Sequence, residues 1–329
     1  MSGPTRCSGS TERKYPMPLQ GPLVSVLIPS YNHEIYLEEA IRSVWRQSYT
    51  NVEIVVVDDC STDLSWTLIE KLSEQSPLPM AIHRNAANIG IPGTLDRILS
   101  LAGGELSTFL ASDDLLTDDR FSRSVDLFLG DPQLQAVYAN GRTLCEGRVG
   151  QRIHRAHALK MLRSTPERVV HALHTDSSPL FIQAALFRTA RLKALGCFDS
   201  GGLADDWLLN ARFFESVRSS REYVYLDQDV VLYRQHGSNV HKDFERHEKL
   251  KLEFVERHTP EEMKPEGFSN IFYWIAVQRL KRGDFDSALT FYRRGQASRF
   301  RLKRLVFVAR WIWAWLFARI VRAESDSGS

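Results

Sequence analysis

Between Leu23 and Ala139 the chain alternates short apolar runs rich in β-branched residues with stretches whose apolar residues recur every three or four positions. The runs are Leu23 to Tyr31 (LVSVLIPSY), Val52 to Val57, Met80 to His83, Ser107 to Ala111 and Leu134 to Ala139, and each predicts a buried strand. Between them lie four predicted helices. Tyr36 to Gln47 carries Leu37, Ile41, Val44 and Trp45 at helical spacing. The next carries Leu64, Leu68, Ile69 and Leu72 on one face, with Ser61 or Thr62 as its cap. Thr94 to Leu101 ends at Gly103-Gly104, and Arg120 to Leu129 follows. Strands separated by helices predict an α/β fold, a single domain with a mostly parallel central sheet flanked by helices. Ligands of such sheets bind at the carboxyl ends of the strands.

Two acidic doublets fall at such ends. Asp58-Asp59 follows IVVV, Asp113-Asp114 follows STFLAS, and a third doublet, Asp205-Asp206, sits in GGLADDWLLNAR. Each doublet alone would also serve as an ordinary helix start. Gathered at one sheet edge, the carboxylates repel one another unless a cation lies between them, and Mg²⁺ or Mn²⁺ takes oxygen ligands of this kind. A chain built this way is expected to handle a phosphate ester through a metal.

The second half is less regular. Gly141 to Thr165 is basic and reads as loops, Ser178 to Phe187 as a return to the sheet, Asp205 to Val217 as a helix and Tyr223 to Tyr233 as a strand. His154, His157, His171 and His174 are expected either to be solvated or to line an acceptor cleft. Beyond His241 the chain turns helical, and the pair Ile271 to Leu280 and Phe285 to Tyr292 resembles one tetratricopeptide-type unit. Cys7, Cys60, Cys145 and Cys197 show no paired or metal-type spacing, which points to free thiols in a reducing compartment. The polar start, MSGPTRCSGSTERKYPMPLQ, reads as a loose tail rather than a signal peptide.

The blocks VSVLIPSYNHEIYLEEAIRSVWRQSYTNVEIVVVDDCSTD, NIG at Asn88 to Gly90, FLASDD at Phe109 to Asp114, GCFDSGGLADDW and YRQHGSN at Tyr233 to Asn239 follow one another in order. From about Pro22 to His241 the chain thereby resembles the family-2 glycosyltransferases, whose fold is the type A nucleotide-diphospho-sugar-binding domain. The resemblance implies that Pro29, Tyr31, Asp58 and Asp59 hold base and ribose, with Glu34 at the same turn, and that Asn88 and Gly90 shape a loop near the diphosphate. It implies a metal site of Asp113, Asp114 and His236, with Asp113 also near the sugar nucleotide and the order of the two aspartates open. The usual pattern has Asp where this chain has Ala111, one carboxylate fewer. GGLADDW matches the family's Glu-Asp motif. The preferred register puts Asp205 in the Glu place and Asp206 in the place of the general base; the other puts Ala204 and Asp205 there.

The implied reaction is a single inverting displacement at the anomeric carbon of a UDP-sugar or, next, a dTDP-sugar. The cofactor is Mn²⁺ or Mg²⁺, and the acceptor is a glycan or lipid-linked hydroxyl in envelope or extracellular polysaccharide synthesis. A nucleotidyltransferase and a non-catalytic sugar-nucleotide-binding scaffold are the rival readings; no nucleic-acid partner is expected. Residues 291–329 hold nine Lys and Arg against two Asp and Glu, a local +7 within a net charge of +2, which leaves −5 for the rest. Trp311, Trp313 and Trp315 lie in the same stretch. A basic, Trp-rich segment of this kind predicts a helix lying on a membrane surface, and so a cytoplasmic protein held peripherally on the inner face of the cell membrane; the alternative is a helix packed on the domain or on a second subunit. The expected organisation is a disordered tail at 1–20, the transferase domain at 21–241, a helical extension at 242–300 and the amphipathic tail at 301–329.

Overall fold

A computed structural model describes residues 21–176, 180–196, 198, 202, 206–237, 244–295 and 309. The first half folds as strand–helix units: β1 (Val24–Ser30), α1 (Leu37–Trp45), β2 (Val52–Asp58), α2 (Ser65–Gln75), β3 (Met80–Arg84), α3 (Gly90–Leu101) and β4 (Leu106–Phe109). These strands pair in parallel in the order β3-β2-β1-β4. Alternate residues of each strand face opposite layers. Val24, Val26 and Ile28 of β1 pack with Val52, Ile54 and Val56 of β2 on one face, whereas Leu27, Val55 and Val57 join the core on the other. Burial on both faces explains the near-continuous apolar runs.

Beyond β4 the sheet is mixed. After β5 (Leu115–Leu116) and α4 (Ser122–Gly130) come β6 (Ala136–Cys145), β7 (Arg148–Arg152), α5 (Ala156–Leu162) and α6 (Pro166–Thr175). A 3₁₀ turn (Ile182–Ala184) leads into β8 (Ala185–Arg188), then α7 (Thr189–Leu195), α8 (Asp206–Ser216) and β9 (Tyr223–Arg234). β8 lies antiparallel between β4 and β6, β9 runs parallel to β6, and β5 closes the edge antiparallel to β9. The carboxyl ends of β1, β2, β4 and β9 and the start of β8 therefore share one edge of the sheet.

Three expectations need correction. Residues 141–165 are not loops: β6 continues to Cys145, β7 folds back on it, and α5 follows. Two register shifts in the β6–β9 pairing near Asn140 break the two-residue alternation that would have marked a strand. At Gly141 the strands come so close that a Cβ would lie 2.6 Å from Val231 Cγ1. Neither Ser61 nor Thr62 caps α2, which starts at Ser65; Asp63 accepts from the Ser65 N–H (2.9 Å), and Leu64 is exposed. Helix α3 begins at Gly90 rather than Thr94.

Three helices follow, α9 (Phe244–His258), α10 (Lys264–Lys281) and α11 (Phe285–Arg294), with the expected helix–turn–helix pair in α10 and α11. Phe254 and Val255 of α9 and Ile271 and Ile275 of α10 belong to the same core as Trp207 and Phe213 of α8. Apart from residue 309, the amphipathic tail lies outside the described residues, as do Cys7 and Cys197; Cys60 and Cys145 are free thiols.

Candidate active site

The turns leaving β1 and β2 are zipped together. Asn32 and Cys60 both take positive φ (53° and 60°), the left-handed conformation that reverses a chain within one residue. The Asn32 N–H donates to Ser61 Oγ (3.0 Å), and Asn32 Oδ1 accepts from the Thr62 N–H (2.8 Å). Pro29 pairs with Val57 near the end of β1, and Tyr31, just past the strand, is 39% exposed. Glu34 accepts from the Leu64 N–H (2.7 Å), so its carboxylate ties this turn to the start of α2.

Asp58 and Asp59 are buried at the end of β2, and protein donors reach the oxygens of both. Asp58 accepts from the Ser61 hydroxyl (2.5 Å) and N–H (2.9 Å) and faces Arg84 Nε at 3.3 Å. Asp59 accepts from Asn85 Nδ2 (2.7 Å) and from the Ile89 and Gly90 N–H groups (both 2.9 Å). That last pair is why α3 starts early: a carboxylate satisfies the otherwise unpaired N–H groups of its first turn. Asn88 Oδ1 also accepts from the Gly90 N–H (3.2 Å), and Gly90 has φ +77°, a conformation a Cβ would strain.

The second doublet divides its work. Asp114 has no exposed surface; its Oδ1 accepts from the Arg234 N–H (2.7 Å) and its Oδ2 from Gln183 Nε2 (2.7 Å). Burial, reinforced by the neighbouring Asp113 charge, raises its pKa well above the usual carboxylate range, while the Arg234 and Gln183 donors oppose the rise. Asp113 turns the other way. Its Oδ2 lies 2.9 Å from His236 Nε2 and 4.0 Å from His33 Nε2. His236 stacks on Tyr36 at 4.6 Å, His33 Nδ1 meets Ser112 Oγ at 2.8 Å, and the Arg234 guanidinium lies over the Tyr36 ring while reaching Glu39 at 2.6 Å. Burial holds the His33 imidazole below its ordinary pKa; Asp113 works against that shift and His236 with it.

Does this set suit the divalent cation the motif implies? Among the described residues no group of three His, Cys, Asp or Glu side chains is arranged as a ready metal site. Asp113 and His236 nevertheless offer an oxygen and an imidazole nitrogen on adjoining atoms. A cation of the Mg²⁺ or Mn²⁺ type commonly takes one or two carboxylates and completes its shell with phosphate oxygens and water. The residues fit an ion that arrives with a diphosphate, and Asp114, with both oxygens taken, supports it from behind.

Asp206 of the third doublet reaches the same edge through the 3₁₀ turn. Asp206 is the first residue of α8, and its Oδ2 accepts from the Ile182 N–H (3.3 Å). The next residue, Gln183, donates to Asp114 and accepts from the Ala111 N–H (2.8 Å). One short turn therefore connects the Asp206 and Asp114 carboxylates. Asn210, one helical turn on, donates to the Leu180 and Asp206 carbonyls (2.9 and 2.6 Å) and accepts from the Tyr138 hydroxyl (2.8 Å), fixing the head of α8 against β6. Asp205 lies outside the described residues.

Sequence reasoning missed His33, Gln183, Asn210 and Arg234. Position was the available signal for His33 and Arg234: each follows or ends a strand at the ligand-binding edge. Two of the expected solvated or cleft histidines are buried instead. His154 Nε2 accepts from the Phe181 N–H (3.0 Å), which places the ring proton on Nδ1 toward the Ala139 carbonyl (3.0 Å); burial lowers its pKa and keeps the ring neutral. His174 joins Glu215 (2.7 Å) to Thr259 (3.3 Å) beneath Phe254.

Known proteins resemble this chain in sequence and in fold. The family model described as glycosyl transferase family 2 matches residues 25–192. Glycosyltransferase GlyA of Streptococcus pneumoniae is 27% identical over 237 residues, covering 64% of this chain and 30% of that protein. An uncharacterized glycosyltransferase of Haemophilus influenzae is 33% identical over 108 residues, 33% of this chain and 43% of its own. The chain thus spans less than half the length of these curated relatives. Among solved structures, Staphylococcus aureus TarS 1-349 in complex with UDP-GlcNAc superposes with a TM-score of 0.54 at 20% identity, covering 89% of this chain and 79% of that one. The mannosyltransferase PcManGT of Pyrobaculum calidifontis, in complex with GDP-Man and Mn²⁺, gives 0.53 at 19% identity, covering 92% and 90%. At these identities the two structures speak for the fold. The family match covers more than half of the chain, from β1 into α7, and includes the first two acidic doublets: this protein belongs to glycosyl transferase family 2.

Proposed function

We propose that this chain is an inverting glycosyltransferase that moves a sugar from a nucleotide-diphospho-sugar, a UDP-sugar first and a dTDP-sugar next, to a hydroxyl of a glycan or lipid-linked acceptor in envelope or extracellular polysaccharide synthesis. The observation that carries the reading is the short turn at Ile182 and Gln183. It ties Asp206 to Asp114 and so to the Asp113–His236 pair at one sheet edge. Base and ribose are assigned to Pro29, Tyr31, Asp58 and Asp59, where the exposed Tyr31 face can stack on a base. Glu34, Asn88 and Gly90 shape the loops on either side. The nucleotide sugars and Mn²⁺ bound in the TarS and PcManGT complexes support the choice of ligand class.

In this reading Asp206 takes the proton of the acceptor hydroxyl while its oxygen bonds to the anomeric carbon. The carbon–oxygen bond to the diphosphate breaks on the opposite side, and the nucleoside diphosphate leaves with the electron pair. One displacement inverts the configuration. A carboxylate is a weak base toward a free hydroxyl, but the proton becomes acidic as the new bond forms. A divalent cation held by Asp113 and His236 would neutralise charge building on the departing diphosphate. The tail at 301–329 is assigned to the inner membrane surface; among the described residues no helix is long and apolar enough to cross a membrane.

The test uses the full chain with Mn²⁺ and a panel of nucleotide sugars. Melting temperature identifies the donor, because a ligand of the native state raises it. Asp206→Asn should keep that shift and lose turnover by about 10²-fold or more. Unchanged turnover in Asp206→Asn would sink the assignment. Tight donor binding without any turnover in the wild type would instead support the scaffold reading, which the missing carboxylate at Ala111 favours.

A further inference from the structure

Three side chains from three separate loops converge on one oxygen atom. His33 follows β1, Asp113 follows β4 and His236 follows β9. The Nε2 atoms of both imidazoles face Asp113 Oδ2, at 4.0 Å from His33 and 2.9 Å from His236. Tyr36 braces the two rings. It stacks on His236 at 4.6 Å and meets His33 edge-on at 6.0 Å, and the imidazoles themselves stand at 87° to each other. A cation held by Asp113 and His236 alone would leave His33 without a part.

His33 is fixed from both its backbone and its ring. Its N–H donates to Ser65 Oγ (3.0 Å), and its carbonyl accepts from the Tyr36 and Leu37 N–H groups (2.9 and 3.0 Å). On the ring, Nδ1 meets Ser112 Oγ at 2.8 Å. With the proton on Nδ1 and donated to that hydroxyl, the lone pair is left on Nε2, the atom that faces Asp113. Metal-ligating imidazoles are commonly oriented this way, their other N–H given to a fixed partner. The His33 side chain keeps 27% of its surface exposed, against 10% for His236 and 11% for Asp113, so of the three it offers an incoming ligand the most access.

The spacing suits a single ion. For bonds of about 2.1 Å, adjacent ligands of a six-coordinate cation lie about 3 Å apart and opposite ones about 4 Å apart. The two separations from Asp113 Oδ2 fall within that range. Among the described residues no ready three-residue metal site is formed, so the ion would arrive with a diphosphate and water as further ligands.

We infer that His33 is a third protein ligand of the cation that accompanies the donor, and that a set of one carboxylate and two imidazoles selects Mn²⁺ over Mg²⁺. Imidazole nitrogen suits transition-metal ions, whereas Mg²⁺ favours oxygen and gives up its waters reluctantly. The inference rests on the transferase reading for the presence of a cation. It adds a ligand and a metal preference that the acidic motif does not carry.

The experiment loads the full chain with Mn²⁺ and UDP and counts the nitrogens bound to the ion by electron spin-echo envelope modulation. The wild type should show two imidazole nitrogens and His33→Ala one. Titrations that follow the paramagnetic signal of free Mn²⁺ should show its affinity falling by about tenfold or more in His33→Ala. Ser112→Ala, which keeps the ring and removes its Nδ1 partner, should lose less. The excess of Mg²⁺ needed to displace Mn²⁺ should be about tenfold smaller for His33→Ala than for the wild type. One nitrogen or none in the wild type overturns the inference, and that count decides even where a variant misfolds. Two nitrogens in His33→Ala, or unchanged Mn²⁺ affinity, overturns it as well. Mn²⁺ held by two imidazoles in a chain that turns over no nucleotide sugar would remove the transferase reading and leave the ligand assignment standing. Turnover that persists in excess chelator would do the reverse.

Discussion

At the residue scale, the chain's least expected side chain is Lys251. It sits on α9, 2% exposed, with its ammonium 4.8 Å from the Trp207 ring and 5.0 Å from the Trp274 ring. Burial pulls its pKa down to about 8 from 10.5, with Asp176 pulling the other way. The sign of the linkage follows. Below pH 8 both folded and unfolded chains carry the charge, and folding bears the full cost of burying it, on the order of 3 kcal/mol. Between about pH 8 and 10.5 the folded chain has released a proton that the unfolded chain still holds, so the cost fades as pH rises. Lys251→Met removes this dependence together with the cation–π contacts. Urea unfolding of the two proteins should show the variant's relative stability greatest at pH 7 and declining by pH 10. A difference that stays constant between those pH values would mean the amine is not held as described. Trp207 adjoins Asp206, so this buried charge also braces the residue next to the proposed base.

At the element scale, the single turn Ile182–Ala184 does more than its three residues advertise. Gln183 spends its amide on Asp114 and on the Ala111 N–H; Gln183→Leu leaves a buried carboxylate oxygen and a backbone donor without those partners. The expected cost is about 1–3 kcal/mol of stability. Donor affinity should weaken as well, because Asp114 no longer backs the Asp113–His236 pair. Unfolding midpoints and donor-dependent melting shifts measure both, and a variant as stable and as responsive as the wild type would remove the turn from its assigned role. This element shows where sequence reading stops. The strands of the first half were legible because burial on both faces makes them almost purely apolar, and the doublets were legible as charges placed after such runs. The head of α3 was not, because Asp59 supplies its N–H partners from another element. Neither was β6 beyond Asn140, where the shifted pairing erases alternation. Gln183, Asn210 and the pairing of His33 with Ser112 and Asp113 act across gaps of tens of residues, and no local pattern encodes them.

At the scale of the whole molecule, charge is divided between an acidic body and a basic end. Outside residues 291–329 the balance is −5, and within them +7. Anionic lipid attracts such an end by about 1 kcal/mol per cation near the surface. Removing Lys303 to Ser329 should therefore release the protein from anionic vesicles in a sedimentation assay while leaving soluble donor turnover in place. Co-sedimentation of the truncated chain would assign membrane contact to another surface. The helical extension is a different matter: α9 and α10 share a core with α8, so shortening the chain into them should unfold the head of α8 along with them.

The pairing of β5 with the end of β9 has a temporal consequence. Leu115 and Leu116 find their strand partners at Leu232 and Val231, and the imidazole within hydrogen-bond reach of Asp113 Oδ2 is that of His236. A nascent chain leaving the ribosome can close β1 to β4 early, from contacts near in sequence, yet must wait more than a hundred further residues before the Asp113–His236 corner exists. Until then, on the proposed reading, the half-made chain would lack a finished place for a diphosphate, and a fragment ending before β9 should not bind the donor.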